Sequence, residues 1–523
     1  MKSRIQSAMG AAALMVNFAT PAFSQDTGQV ITDSGPVIGV TQGAAAVYLG
    51  IPYAAPPTGA LRWRPPKAVA SWVNPLHAEN FGPQCPQNAD LGVFARAGGA
   101  EDCLTLNIYS KATAASQGKR PVMVWIHGGG YSVGGGSDHD GSKLAIDGDT
   151  VVVTINYRLG ALGFLSHPAL DAEGHAFGNY GLMDQQFALD WVHRNIAAFG
   201  GDPQNVTIFG ESSGGTSVMS QIVSPGAAGL FQHAISMSGS AIILKHPNFG
   251  APRPLDVATA LGTGFAKAAG CVDQSAACLR ALPVDKILST QTPFIVNQAI
   301  IDGTVLPMTY AKAFAQGKVN KVTLINGSNL DEWRWAAGFI ENATNKPMTE
   351  AGYPAAIESY YGKPLAAAVV TEYPPRNYIT PTEAWSAAIT DSLFACTGRK
   401  TNKWLSAQMP VYAYEFADRT APSYLKPTTF TLGAGHTLEL AYIFPGYHGG
   451  AGLPIALNPL QEKLSDQMVA FFAGANSAQT GPWPLYNPAQ ENVMTFVLPE
   501  ARMISSRFAK QHHCAFWDKS GIY

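Results

Sequence analysis

The sequence predicts a chain of the α/β class, built on a large, mostly parallel sheet with helices on both faces. Three observations predict it. Residues 121–127 (PVMVWIH) and 150–157 (TVVVTINY) are nearly continuous apolar runs of β-branched residues; residues 181–199 carry helical spacing; and residues 205–209 (NVTIF) lead through a Gly/Ser turn towards another helix. Continuous apolar runs mark strands covered on both faces, and strand, helix, strand, turn, helix is the order of a doubly covered parallel sheet.

Taken in order, residues 29–42 and 45–54 alternate and are punctuated by Gly, which predicts short strands and turns flanking the larger sheet. Pro56-Pro57 and Pro65-Pro66 make the following stretch a loop. Leu182, Phe187, Leu189, Trp191, Val192, Ile196 and Phe199 line one face of a helix that Gly200-Gly201-Asp202-Pro203 ends. After the strand at 205–209 a helix is expected from about Thr216, and residues 234–238 and 322–326 read as further strands. Residues 250–307 and 341–426 are helical but broken by Gly and Pro, as excursions covering the sheet would be. No repeat, low-complexity linker or compositional break divides the chain, so residues 25–523 are expected to form one elaborated domain.

Composition narrows the function. Hydrophobic residues make up 46% of the 523, and charged residues only 13%, about half the usual share, which excludes a disordered or solvating chain. The net charge of −2 gives no field to hold nucleic acid or anionic lipid. At the N-terminus, Lys2 and Arg4 precede an uncharged stretch rich in Ala, Met, Leu and Val, then Ala22-Phe23-Ser24. That is the pattern of a secretory leader spanning residues 1–24, and it predicts a secreted or periplasmic protein. No later run of about 18 apolar residues offers a membrane span. The six cysteines, Cys85, Cys103, Cys271, Cys278, Cys396 and Cys514, fit an oxidising compartment and permit 15 pairings in principle. There is no CxxC, and His512-His513-Cys514 is read as an exposed terminal segment and not as a set of metal ligands.

One motif carries chemistry. Gly210-Glu211-Ser212-Ser213-Gly214 is a G-x-S-x-G between a predicted strand and a predicted helix. A sharp turn there needs small neighbours so that a serine can hold a strained backbone with its hydroxyl exposed. Upstream, His127-Gly128-Gly129-Gly130 ends a strand, and the N–H groups of Gly129 and Gly130, with that of Ser213, are candidates to bind a tetrahedral oxyanion. A phosphate cradle is disfavoured, because no Lys or Arg lies in the loop. A serine at its free pKa needs a histidine base held by a carboxylate. His436 lies in a Gly-flanked loop well after the serine, and Glu332 follows the strand at 322–326, with Asp331 as a rival that spacing does not separate.

Longer segments resemble a known family. YLGIPYAAPP at 48–57, LRWRPP at 61–66, EDCLTLNIY at 101–109, WIHGGGY at 125–131, NYRLGALGFLS at 156–166, the run at 178–203 and FGESSGG at 209–215 together resemble the type-B carboxylesterases of the carboxylesterase and cholinesterase family. The resemblance implies the α/β-hydrolase fold. It places the nucleophile on Ser212, the acid on Glu332, the base on His436 and the oxyanion donors on Gly129, Gly130 and Ser213. It pairs Cys85 with Cys103, Cys271 with Cys278 and Cys396 with Cys514, and implies structural ion pairs of Arg62 with Glu101 and Arg158 with Asp202. Two positions depart from it. Ser213 stands where the family usually has alanine, adding a hydroxyl, and Trp333 stands where glycine usually follows the acid, with Trp335 two further on. The tryptophans are expected either to pack under a lid or to narrow the pocket, and Glu211 either to tune the site's charge or to hold the turn.

The implied activity is hydrolysis of neutral or apolar carboxylic esters through an acyl-enzyme on Ser212, with a small-molecule ester as substrate and with no metal or organic cofactor. Two alternatives stand beside it: a catalytically silent secreted binding protein on the same fold, which would be expected to lack part of the triad, and a lipase or amidase variant.

Overall fold

In the computed structural model of the chain, the described residues are 25–112, 119–239, 242, 251–292, 298–452, 455–474 and 483–523. The expected leader at 1–24 lies outside them. Fifteen strands follow in chain order: β1 (Gln25–Ile31), β2 (Pro36–Gln42), β3 (Ala45–Pro52), β4 (Leu76–His77), β5 (Thr105–Lys111), β6 (Arg120–Ile126), β7 (Val151–Ile155), β8 (Gly201–Glu211), β9 (His233–Met237), β10 (Arg253–Pro254), β11 (Ile300–Ile301), β12 (Thr323–Asn329), β13 (Val411–Phe416), β14 (Val493–Phe496) and β15 (Arg502–Ile504). Among the described residues thirteen of them form one sheet in the order β1-β2-β3-β5-β7-β6-β8-β9-β12-β13-β14-β15, with β4 beside β2, while β10 and β11 pair separately.

The block from β7 through β14 is parallel, and antiparallel strands close both sides. Successive side chains of a strand point to opposite faces. Along β6, Val122, Val124 and Ile126 enter one core with Val153, Leu189 and Ile208, while Met123 and Trp125 enter the other with Phe209, Phe444 and Phe472. That division explains why the run at 121–127 is apolar throughout. The helix Tyr180–Asn195 tightens into a final turn at Ile196–Phe199, which Gly200 ends at φ 84°.

The excursions are helical, as expected. The first holds Leu255–Ala269, Ala276–Ala281 and Val284–Gln291; the second holds Tyr353–Tyr361, Lys363–Glu372, Pro381–Thr390, a π-turn at Asp391–Ala395, and Cys396–Leu405. The second builds a third core around Trp385, Ile389, Tyr373 and Trp517. Disulfides join Cys85–Cys103, Cys271–Cys278 and Cys396–Cys514. Among the described residues no helix is long and apolar enough to cross a membrane.

Arg62 grips Glu101 with two hydrogen bonds, Nε to Oε1 at 2.7 Å and Nη2 to Oε2 at 2.5 Å. The expected partner of Arg158 is corrected. Arg158 binds Asp184, at 2.7 Å through both Nε and Nη2 and at 3.0 Å through its backbone N–H, and Asp202 instead accepts from the Gln204 N–H. The reason is directional: Arg158 leaves the C-terminal end of β7, where the first turns of Tyr180–Asn195 carry Asp184, whereas Asp202 opens β8 at the opposite end of the sheet.

Candidate active site

Every predicted site residue lies at the C-terminal ends of the parallel strands, where ligands of open α/β sheets bind. Ser212 separates β8 from the helix Ser213–Val223 and has φ 57° and ψ −123°. A side chain at positive φ costs roughly 1–3 kcal/mol and persists only where the surroundings enforce it. Here the Ser212 N–H donates to Met237 O at 2.9 Å and its carbonyl accepts from the Thr216 N–H at 2.9 Å. The flanking glycines are dictated by contact. A Cβ on Gly210 would lie 2.6 Å from the Ile126 carbonyl oxygen, and one on Gly214 only 2.0 Å from it. The helix begins at Ser213, before the expected Thr216, because the elbow turns strand into helix with no linking residue.

The Gly-rich loop follows β6. Gly129 has φ 101°, and a Cβ there would sit 2.3 Å from Val133 O, so glycine is required. The loop folds back through Ser132 and Val133 N–H bonds to Gly129 O at 3.0 and 3.1 Å. The hydroxyl of Ser213, buried beneath it, accepts from the Tyr131 N–H at 3.2 Å.

Glu332 follows β12. Its Oε2 lies 2.5 Å from His436 Nδ1, and its Oε1 accepts from the Asn329 N–H at 2.7 Å and from Ser238 Oγ at 2.5 Å. The two loops are tied again where the His436 N–H donates to the Glu332 carbonyl at 3.1 Å. The rival carboxylate is engaged elsewhere: Asp331 accepts two bonds from Arg419, at 2.8 and 2.9 Å, and one from the Ala434 N–H. On the other edge of the imidazole, His436 Nε2 lies 3.1 Å from Glu211 Oε1. Ser212, Glu211, Glu332 and His436 all face one cavity of about 510 Å³, which also receives Gly129, Gly130 and Ser213.

The electrostatics follow from burial. Burial opposes a charged imidazole at His436, but the Glu211, Glu332 and Glu439 carboxylates outweigh it and raise its pKa to about 10. Burial pushes Glu211 well above the usual carboxylate range, against the attraction of His436, and raises Glu439 to about 7 with help from Glu332. Glu211 and Glu439 are thus both pushed towards holding a proton, and each proton held there weakens the hold on the imidazolium. His127 and His139, which also line the cavity, are lowered by burial to about 4 and about 3 and stay neutral.

Both tryptophans line the cavity, with different neighbours. Trp333 packs edge-on against Trp385 and Tyr360 of the second excursion. Trp335 stacks on Phe339, meets Phe94 edge-on at 5.0 Å and lies 6.0 Å from the His436 ring, so it narrows the cavity beside the imidazole. Ser238, Asn329 and Glu439 were missed by the sequence reading. Ser238 reaches Glu332 only because β9 and β12 are neighbours in the sheet, a pairing that no local pattern announces. Glu439 had a signal, lying three residues past His436 in the sequence.

A second imidazole is held between carboxylates at the C-terminus. The expectation of an exposed 512–514 segment is corrected: His512 is 2% exposed, with Nδ1 2.6 Å from Asp391 and Nε2 2.6 Å from Glu415, and Cys514 is fully buried. The Cys396–Cys514 disulfide draws the segment onto the π-turn that carries Asp391. Among the described residues no group of three or more His, Cys, Asp or Glu is arranged to hold a metal ion.

A mostly parallel sheet, a serine on a strand-to-helix elbow and a carboxylate-held histidine at the same sheet end together define an α/β-hydrolase. A family model described as the carboxylesterase family matches residues 26–517, and the chain belongs to that family. It is 33% identical to human cocaine esterase over 534 residues, covering 96% of this chain and 92% of that protein. It is also 33% identical to para-nitrobenzyl esterase of Bacillus subtilis (strain 168), covering 90% and 94% respectively. Among solved structures, a thermophilic PNB esterase superimposes with a TM-score of 0.78 at 30% identity, over 93% of this chain and 99% of that one. The protein is thus a carboxylic ester hydrolase, and the family takes small-molecule esters.

Proposed function

We propose that this protein is a secreted serine carboxylesterase that cleaves neutral or apolar esters through an acyl-enzyme on Ser212, with residues 25–523 acting as one domain. The observation that carries the reading is the convergence on one cavity of a serine at φ 57° and an imidazole whose far nitrogen is held by Glu332. Ser212 Oγ bonds to the ester carbonyl carbon while its proton passes to His436 Nε2. The tetrahedral intermediate collapses, the bond to the alcohol oxygen breaks, and His436 returns the proton to the departing alcohol. Water then repeats the sequence on the acyl-enzyme. Glu332 keeps Nδ1 protonated and stabilises the transient imidazolium, and Ser238 and Asn329 hold that carboxylate in place. The N–H groups of Gly129, Gly130 and Ser213 bind the oxyanion.

His436 Nε2 lies 3.1 Å from Glu211 Oε1, and the relay requires it to meet the Ser212 hydroxyl, a contact that commonly tightens only when substrate is bound. Leu91, Phe94, Trp335 and Phe394 on the cavity wall favour apolar acyl or alcohol groups. Three disulfides favour an oxidising compartment, in keeping with export.

The test is release of p-nitrophenol from acetate, butyrate and octanoate esters by the mature chain beside Ser212→Ala. Activity lost in a folded variant supports the reading. An inactive wild type, or a variant as active as wild type, removes it and favours a binding role.

A further inference from the structure

The residue after the nucleophile, Ser213, carries a hydroxyl, and the structure gives that hydroxyl a task. A loop of three consecutive glycines is conformationally permissive, so the direction of its N–H groups must be fixed from outside. Two hydroxyls hold the peptide that joins Gly130 to Tyr131: its carbonyl, on Gly130, accepts from Ser132 Oγ at 3.3 Å, and its N–H, on Tyr131, donates to Ser213 Oγ at 3.2 Å. Tyr131 itself is strained, at φ 57°, and is pinned on its other sides, its carbonyl accepting from the Gly160 N–H at 2.7 Å and its phenol oxygen accepting from Ser217 Oγ at 3.3 Å.

The start of the loop is held separately. The Tyr157 phenol donates to the His127 carbonyl at 2.7 Å, and its ring stacks on the His127 imidazole at 4.4 Å. With that end fixed, the Ser213 hydroxyl, on the first residue of the elbow helix, holds the other end of the segment that carries Gly129 and Gly130.

We infer that Ser213 is a positioning residue for the hydrolysis: its side-chain hydroxyl, separately from its backbone N–H, locks the Gly128–Tyr131 segment onto the nucleophile elbow so that the three oxyanion donors converge before substrate arrives. This inference rests on the proposed oxyanion role of Gly129, Gly130 and Ser213. Preorganised donors matter because they need not be reoriented as charge develops, and losing a whole donor costs roughly 10²–10³ in rate. Loosening the frame that aims them costs less.

The test is Ser213→Ala, which removes the brace and leaves the N–H in place. The account expects kcat for p-nitrophenyl butyrate to fall by about tenfold, below the cost of a missing donor, with KM little changed. It expects weaker inhibition by an alkyl trifluoromethyl ketone, whose hemiketal with Ser212 carries an oxyanion, by a similar factor. It also expects faster hydrogen exchange in the peptide containing Gly128–Tyr131. A ketone that binds wild type and Ser213→Ala equally well, or a lowered kcat without faster exchange, overturns the inference alone. A ketone that fails to bind wild type overturns the oxyanion reading and the inference with it.

Discussion

His436 and His512 are both imidazoles flanked by two carboxylates, and both are raised to about 10 by those charges acting against burial. Their surroundings differ in three ways. His436 opens onto a cavity of about 510 Å³ where His512 lines one of about 120 Å³, and it shares that cavity with a serine on a strained elbow and a loop with glycines at positive φ. His512 makes hydrogen bonds to carboxylates through both ring nitrogens, whereas His436 does so through Nδ1 and the Glu211 Oε1 beside its Nε2 forms no hydrogen bond among the described residues; His512 also lies against a segment fastened by the Cys396–Cys514 disulfide. The comparison teaches that a perturbed histidine is not by itself a site. A base needs one nitrogen that can be given to a reactant, and the second cluster spends both nitrogens on holding the second excursion and β13 to the C-terminal segment.

The sharpest way to break the comparison is to remove each histidine in turn. His436→Gln, like Ser212→Ala, is expected to cut kcat by about 10⁴-fold or more in protein that still folds, read by ester hydrolysis and by calorimetry. His512→Gln is expected to weaken the fold and spare the chemistry. It leaves two carboxylates facing each other in the interior, so it should destabilise the fold by about 3–5 kcal/mol, the usual cost of breaking a buried pair, while the folded fraction keeps its turnover. Equal losses of activity in the two variants would erase the distinction.

A second contrast concerns pH. The folded protein raises the His512 pKa to about 10 from the ordinary 6.5, so its stabilisation is fully present below about 6.5 and is lost as pH rises towards 10. The thermal midpoint of the wild type should therefore fall more steeply across that window than that of His512→Gln. Parallel curves would show that His512 is not held as an imidazolium.

The smallest expected effect sharpens the role of Glu211. Its carboxylate favours the charged form of His436, and the base must be neutral to accept a proton. Glu211→Gln removes that charge and lowers the His436 pKa, so the acid limb of the kcat/KM profile should move to lower pH. An unmoved limb would mean that Glu211 holds its proton throughout and acts only through packing and hydrogen bonds.

Legibility followed the range of the interactions. The elbow was readable because its parts are neighbours in sequence, with Gly210 and Gly214 forced by the Ile126 carbonyl and Ser212 left at the turn. The central strands were readable because each is buried on both faces. Choosing Glu332 over Asp331 was beyond spacing, since the residues are adjacent and only the tertiary placement of Arg419 and His436 separates them. The pairing of Arg158 with Asp184 and the clasp on His512 depended on which ends of which elements meet, and the latter joins residues 121 and 97 positions apart. Ser238 was hidden for the same reason, 94 positions from Glu332.

The most direct test of the central claim, that the cavity cluster alone is reactive, is mass spectrometry of the protein after treatment with diethyl p-nitrophenyl phosphate. Attack by Ser212 Oγ on phosphorus expels p-nitrophenolate and leaves a diethylphosphoryl group on the serine. The account predicts one such group, on the peptide containing Ser212, absent in Ser212→Ala and retained in His512→Gln. No labelling, or a label elsewhere that survives Ser212→Ala, would contradict it.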